Sequence, residues 1–244
     1  MSDEIGGTGS RSVARALSIL ELMARAERPL GLAEIARELG LPKTSALSLL
    51  RALSASSFAV LDDAGRYRLG VRSFEVGAAY LRAMTPVQAV EGELEWLTQE
   101  LGVTSHFAVL EGDEVLYLAK HDPPGTALKL ASSVGARLPA TITAVGKAQL
   151  AFAPAPGAGT TDPALPELAE VRGLGYAVDD GDTVAGIRCV AAPVFSDRGC
   201  CGAVGVSLLM RDEPPTESVG RLVVEAAERA STRLGGRRPR REAV

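Results

Sequence analysis

Between residues 11 and 55 apolar positions recur with a helical period three times over. Val13, Ala16, Leu17, Leu20 and Met23 form one stripe, Ile35, Ala36 and Leu39 a second, and Ala46, Leu49, Leu50 and Leu53 a third. Gly40 breaks the second pattern, and Pro42 suits the first turn of the third because its missing N–H is not needed there. Lys43, Thr44 and Ser45 therefore cluster at the start of that helix, off its apolar face. Residues 58–61 and 66–69 read as short strands around Asp62-Asp63-Ala64-Gly65. Helix, helix, turn, helix and basic hairpin over 11–72 predict a winged helix-turn-helix, whose third helix meets base edges and phosphates. The plain alternative is a three-helix bundle with a solvated hairpin.

The pattern then changes character. Residues 73–84 predict a linker helix with Phe74, Gly77, Ala78 and Leu81 on one face, suited to dimerisation. Thr85-Pro86 starts a helix that runs to about Leu101 and stops at Gly102. Alternating runs at 104–110 and 114–119 flank Glu111-Gly112-Asp113 and read as a hairpin. Helices are expected at 143–152, 166–172 and 216–234, strands at 176–178, 187–195 and 201–208, and a surface loop at 153–164. Residues 85–235 thus form a second, α+β domain. Residues 1–10 and 236–244 are expected to be disordered ends, the latter a solvated basic tail with Arg237, Arg238, Arg240 and Arg241.

Composition narrows the function classes. With 244 residues the chain exceeds one DNA-binding module, and 46% hydrophobic content is ample for a core. The net charge of -4 argues against nucleic acid only on average, because residues 28–72 carry seven basic and four acidic side chains, a local balance of +3. No apolar run is long enough to span a bilayer and the start has no signal-peptide pattern, so a cytoplasmic protein without membrane contact is expected. Three cysteines, two of them adjacent, make no disulfide framework. Two histidines without a Cys-x-x-Cys pair make no zinc site, so neither metal nor cofactor is expected. Thr143-Ala144-Val145-Gly146-Lys147 ends like a phosphate loop, but Thr141 stands at its first glycine and Ala148 at its magnesium-binding hydroxyl. Cys189 with His106 could form a hydrolase pair, yet no nucleophile signature surrounds Cys189. Catalysis is not expected.

Four strings in order carry a resemblance to the IclR family of bacterial transcription regulators: Ser12-Val13-Ala14-Arg15-Ala16-Leu17-Ser18-Ile19-Leu20, Arg66-Tyr67-Arg68-Leu69-Gly70, Gly135-Ala136-Arg137-Leu138-Pro139 with Thr143-Ala144-Val145-Gly146-Lys147-Ala148, and Gly175-Tyr176-Ala177-Val178-Asp179-Asp180 continued by Gly186-Ile187-Arg188-Cys189-Val190-Ala191-Ala192-Pro193-Val194. The resemblance implies a GAF-like effector domain, with a curved, mostly antiparallel sheet, helices on one side and a small-molecule pocket on the other. Three departures stand out. Leu47 and Ser48 replace a polar aromatic or His and an Arg common in the family's recognition helix. Ser57 replaces the usual glycine at a position expected to be left-handed. Thr141 replaces a usual histidine, which favours a less polar, aromatic effector.

The resemblance also implies roles. Thr44, Ser45, Leu47 and Ser48 are expected to read bases, and Lys43, Arg51, Arg66, Arg68, Ser12 and Arg15 to contact phosphate. Effector contacts are expected from the backbone at Ala144 and Val145, where helix N–H groups suit a carboxylate, and from Asp179, Cys189 and Ser207. Each of the last three has a plain reading: a solvated strand end, a small core residue and a lone strand hydroxyl. The expected protein is a homodimer or dimer of dimers on a palindromic double-stranded operator, with binding modulated by a small organic acid or aromatic catabolite, and repression as the commoner outcome in the family. The alternatives are a ligand-independent winged-helix protein and a small-molecule hydrolase.

Overall fold

A computed structural model describes residues 8–125, 132–153, 167–210 and 214–239. Its packing divides the chain between Ala83 and Met84. In the first unit, α1 (Thr8–Arg25), α2 (Leu32–Glu38) and α3 (Lys43–Ala55) close over Ile19, Met23, Leu30, Ile35, Leu50, Ala59 and Tyr67. The second and third stripes face this core as the periodicity predicts. The first does so only in part: Ile19 and Met23 are buried, whereas Val13 and Leu17 remain 60% and 53% exposed. The core is reached by the C-terminal half of α1 alone, so its first turns keep an uncovered apolar face.

The hairpin of β2 (Ala59–Leu61) and β3 (Arg66–Leu69) gains a third, unexpected strand, β1 (Leu30–Gly31), in the order β1-β3-β2, all antiparallel. Two residues carry no readable period, which is why the sequence hides it. Asp62 folds the turn: its Oδ1 accepts the Ala64 and Arg66 N–H groups at 3.0 and 2.8 Å. Ser57 sits at φ 62°, the left-handed conformation expected there. Gly70 is fixed beside it, because a Cβ at Gly70 would strike the Ser57 carbonyl. The helix α4 (Val71–Ala83) starts two residues earlier than predicted and buries none of its side chains, with Phe74 74% exposed.

In the second unit a six-stranded, wholly antiparallel sheet runs β6-β5-β4-β9-β8-β7, formed by β4 (Thr104–Glu111), β5 (Glu114–His121), β6 (Arg137–Pro139), β7 (Ala177–Asp180), β8 (Ile187–Ser196) and β9 (Gly199–Leu209). The helices α5 (Thr85–Leu101) and α8 (Thr216–Arg233) pack on the sheet, as does α6 (Ala144–Leu150), with α7 (Glu167–Leu174) against α6 and β7. Side-chain parity separates the faces. Ala108, Ala191 and Ala203 join the α6 cluster, whereas Ser105, between His106 and Thr104 on the opposite face, donates to the Leu94 carbonyl of α5 at 2.7 Å. Helices therefore cover both faces, not one. Residues 104–109 are all buried, so β4 is a doubly covered strand and not the half-exposed one its alternation suggested.

Other boundaries shift for local reasons. Met84, not Thr85, is the N-cap of α5, and Pro42 is likewise the N-cap of α3 rather than within its first turn. Gly102 ends α5 at φ 66° as expected. The three-residue β6 was not predicted. The loop expected at 153–164 lies, apart from Ala153, outside the described residues. Buried Glu93 of α5 accepts from Arg229 and Arg233 of α8 at 2.7 and 2.5 Å, and Arg229 also lies 4.0 Å over the Trp96 ring. The tail corrects its expectation. Gly235 bridges Ser196, and Arg238 donates to the Arg172 and Gly173 carbonyls at the end of α7 and stacks over Phe152, so the chain is held as far as Arg238, while Arg237 is exposed as expected. Arg240 and Arg241 lie outside the described residues.

Candidate DNA interface and effector pocket

In the first unit, α3 buries Ala46 and Leu50 and exposes Lys43, Thr44, Ser48 and Arg51, with Ser45 and Leu47 half-buried. Its exposed start is small, polar and cationic, which fits it to approach a groove. Arg66 and Arg68 are exposed on alternate positions of β3, and the Arg66 guanidinium donates to the Pro29 carbonyl at 3.4 Å. Ser12 and Arg15 are exposed on α1. All ten expected DNA-contacting side chains thus have at least partial access to solvent within this unit.

In the second unit the register sets the pocket. Asp179 pairs with Cys189, Cys189 with Ser207, and Ser207 with Thr104, so four polar side chains form one row across β7, β8, β9 and β4. Adjacent strands lie about 4.8 Å apart, so Ser207 and Asp179 are separated by about 10 Å. The next row on that face is Ala177, Ala191, Gly205 and His106. At Gly205 a Cβ would sit 2.8 Å from the His106 ring and 3.2 Å from Val145, so only glycine lets the imidazole and α6 both approach the sheet. Opposite the sheet, Thr143 caps α6 by accepting the Gly146 N–H at 3.2 Å, which places Ala144 and Val145 at the helix start over the two rows. A Cβ at Gly146 would collide with the Ala140 backbone, which fixes this close approach.

The enclosed space has a volume of about 20 Å³ and is lined by all five expected effector residues, together with His106, Tyr117, Ser132, Leu138, Thr143, Thr183, Val184 and Ile187. That is room for one water, so an organic ligand must displace part of the wall. The segment joining β7 to β8 forms one side. Asp179, 1% exposed and not the solvated strand end that its sequence context allowed, holds this segment by accepting from the Asp182 and Thr183 N–H groups at 2.8 and 3.3 Å. Lys147 of α6 grips it from outside, with Nζ 3.5 Å from Asp182 and 3.0 Å from Glu167. Gly181 and Gly186, at φ 91° and 82°, bracket the segment.

Three of the four buried side-chain polar atoms that lack a hydrogen-bond partner among the described residues belong to this pocket: His106 Nδ1, Ser132 Oγ and Thr183 Oγ1. Buried polar atoms are normally paired, so their concentration here makes this space the candidate site. Burial, helped by the Lys120 charge, lowers the His106 pKa to about 3, and burial raises the Tyr117 hydroxyl above its usual range. The Cys189 thiol, 3.3 Å from the Ser207 hydroxyl, is pushed up to about 11, chiefly by burial. A neutral thiol and a neutral imidazole on strands separated by β9 are the reverse of an activated nucleophile pair.

The sequence points to none of Tyr117, Ser132 and Thr183, and it offers His106 only as a hydrolase partner of Cys189 and not as part of an effector pocket. A signal was available for His106: Thr104-Ser105-His106 opens a strand that is otherwise apolar. Ser132 and Thr183 come from loops, where no period assigns a face. Thr141 is exposed and is not part of the lining, so its departure from the family pattern does not bear on pocket polarity, and the aromatic preference drawn from it loses its basis.

Comparison with known proteins agrees with both halves. The IclR helix-turn-helix domain matches residues 12–63, and the C-terminal domain of the bacterial transcriptional regulator IclR matches residues 78–158 and 158–232. The HTH-type transcriptional regulator XynR of Escherichia coli is 32% identical over 76% of this chain and 81% of its own length, and the HTH-type transcriptional regulator BhcR of Paracoccus denitrificans is 30% identical over 96% and 90%. An IclR homolog from Microbacterium hydrocarbonoxydans, solved in complex with 4-hydroxybenzoate, superposes with a TM-score of 0.77 at 25% identity, covering 92% of this chain and 99% of that one. A bare helix-turn-helix, an antiparallel α+β sensor fold and matches that span nearly the whole chain establish that it belongs to the IclR family of transcriptional regulators.

Proposed function

We propose that this chain is a homodimeric transcriptional repressor whose operator binding responds to a small organic acid held in the second-unit pocket. The observation that carries the ligand half is the group of buried polar atoms, unpaired among the described residues, that line the same pocket as the row Ser207, Cys189 and Asp179. Among the described residues no lysine or arginine lines the pocket, and the N–H groups at Ala144 and Val145 take the ligand carboxylate, with the Ser132 and Thr183 hydroxyls in the same lining. The acid bound by the Microbacterium relative is of this size class. Entry of the ligand shifts the 181–186 segment, and differential affinity for the two arrangements supplies the response.

On the DNA side, Thr44, Ser45, Leu47 and Ser48 read bases, while Lys43, Arg51, Arg66, Arg68, Ser12 and Arg15 hold phosphates. Dimerisation is supported by the uncovered apolar side chains of the first unit, Val13 and Leu17 on α1 and Val71, Phe74, Val76 and Tyr80 on α4. A two-fold dimer places the half-sites of a palindrome about one helical turn, or multiples of it, apart. The regulator works in the cytoplasm; no helix among the described residues is long and apolar enough to cross a membrane. It has no catalytic role, in keeping with the neutral Cys189 and His106 pair.

Mobility shifts on DNA upstream of the gene and its neighbours, at fixed salt and with a panel of aliphatic and aromatic acids, test the reading. A specific complex released by one acid is expected. A specific complex indifferent to every acid would favour the ligand-independent reading, and the absence of a specific complex would remove the operator assignment.

A further inference from the structure

We propose that His106 is the specificity-determining residue of the pocket, selecting acids that carry an uncharged hydroxyl group over the same acids without it. The proposal rests on the pocket being the effector site and adds what the site discriminates. His106 is 1% exposed, its Nδ1 has no hydrogen-bond partner, and its ring is held edge-on to Tyr117 at 5.3 Å between centroids. Gly205, its cross-strand partner, makes room for that ring. The imidazole is thus a fixed polar group in the wall of the pocket, and its Nδ1 has no partner among the described residues.

Its charge state decides the kind of group it reads. Burial and the nearby Lys120 hold the imidazole neutral throughout the physiological range, so it offers one donor and one acceptor and no charge to attract an anion. The neutral Tyr117 hydroxyl, the Cys189 thiol and the Ser207 hydroxyl give this sheet-side wall the same character, and Asp179 makes it hostile to a second carboxylate. A monocarboxylate can therefore direct its charge to the start of α6 while an uncharged hydroxyl at its other end meets His106. An acid lacking that hydroxyl leaves Nδ1 buried and unpaired, which is the condition under which hydrogen-bonding sites discriminate strongly.

The test is titration calorimetry of the full-length protein with matched pairs, 4-hydroxybenzoate against benzoate and 3-hydroxybutyrate against butyrate, for wild type, His106→Leu, His106→Gln and Ser207→Leu. Wild type should prefer the hydroxylated member of at least one pair by tenfold or more. His106→Leu should bring that ratio within about threefold of unity, His106→Gln should keep most of it, and Ser207→Leu should bind neither acid. Equal binding of both members by wild type, or an unchanged ratio in His106→Leu, overturns the role of His106 while leaving the pocket assignment intact. If His106→Leu does not fold, the glutamine variant decides, since retention of the ratio requires a neutral polar group there and its loss points to packing alone. Should wild type bind none of the four acids at millimolar concentration, or Ser207→Leu bind them normally, the pocket assignment itself fails and this proposal with it.

Discussion

The recognition helix and the effector pocket solve opposite problems with similar side chains. At the start and on the open face of α3, Lys43, Thr44, Ser48 and Arg51 sit outside, where water satisfies them until DNA arrives. In the pocket, hydroxyls, a carboxylate and an imidazole are buried within strands and loops, and three of their polar atoms have no partner among the described residues. The first surface costs the fold almost nothing; the second leaves buried groups unpaired, at about 1–3 kcal/mol each. Change on the DNA face should therefore leave stability alone, whereas apolar replacement of an unpaired pocket group should keep or raise stability at the expense of ligand recognition.

The sharpest way to break that contrast is to fill the pocket. Ser207→Leu should weaken effector binding by more than about 100-fold through steric exclusion, as read by calorimetry, and leave the protein's operator complex unresponsive to the acid in mobility shifts. A normal effector response would remove Ser207 from the site. Next in size is Gly146→Ala, whose Cβ meets the Ala140 backbone; it should cost about 3 kcal/mol in urea unfolding, because neither α6 nor the preceding turn can yield cheaply. A loss under about 0.5 kcal/mol would mean that α6 does not sit against Ala140.

His106 supplies a test by pH. Its folded pKa is about 3 against 6.5 unfolded, so between these values the unfolded chain binds the extra proton and stability falls as pH falls. Relative to His106→Leu, wild type should lose up to about 1.4 kcal/mol per pH unit below pH 6, and the difference between the two should be flat above pH 7. Parallel curves below pH 6 would place the imidazole in water. On the DNA side the expected effect is smaller: Arg66→Ala should leave stability unchanged and lower the salt slope of operator binding by about one unit, equally for all sequences. An unchanged slope would take the wing off the backbone.

The same contrast explains what the sequence disclosed. The stripes of α2 and α3 were legible because one face is apolar and the other wet, and a period of 3.6 then names both. The row of Asp179, Cys189 and Ser207 came from family resemblance and not from any period, because β8 and β9 are buried on both faces and read as continuous apolar runs. Ser132 and Thr183 became visible only when register and loop closure brought them beside His106. The tail misled for a related reason: a run of arginines reads as solvated, yet Arg238 finds the carbonyls at the end of α7, and composition carries no record of so distant a partner.

Trp96, stacked beneath Arg229 on α5, is the chain's one tryptophan, and it belongs to the sensing half. Its fluorescence is therefore a natural optical label for that half alone, while far-ultraviolet circular dichroism sums the helices of both. Recording the two signals in a single melt would show whether the helix-turn-helix half and the C-terminal half come apart together or in sequence, with no dye, tag or substitution added to the protein.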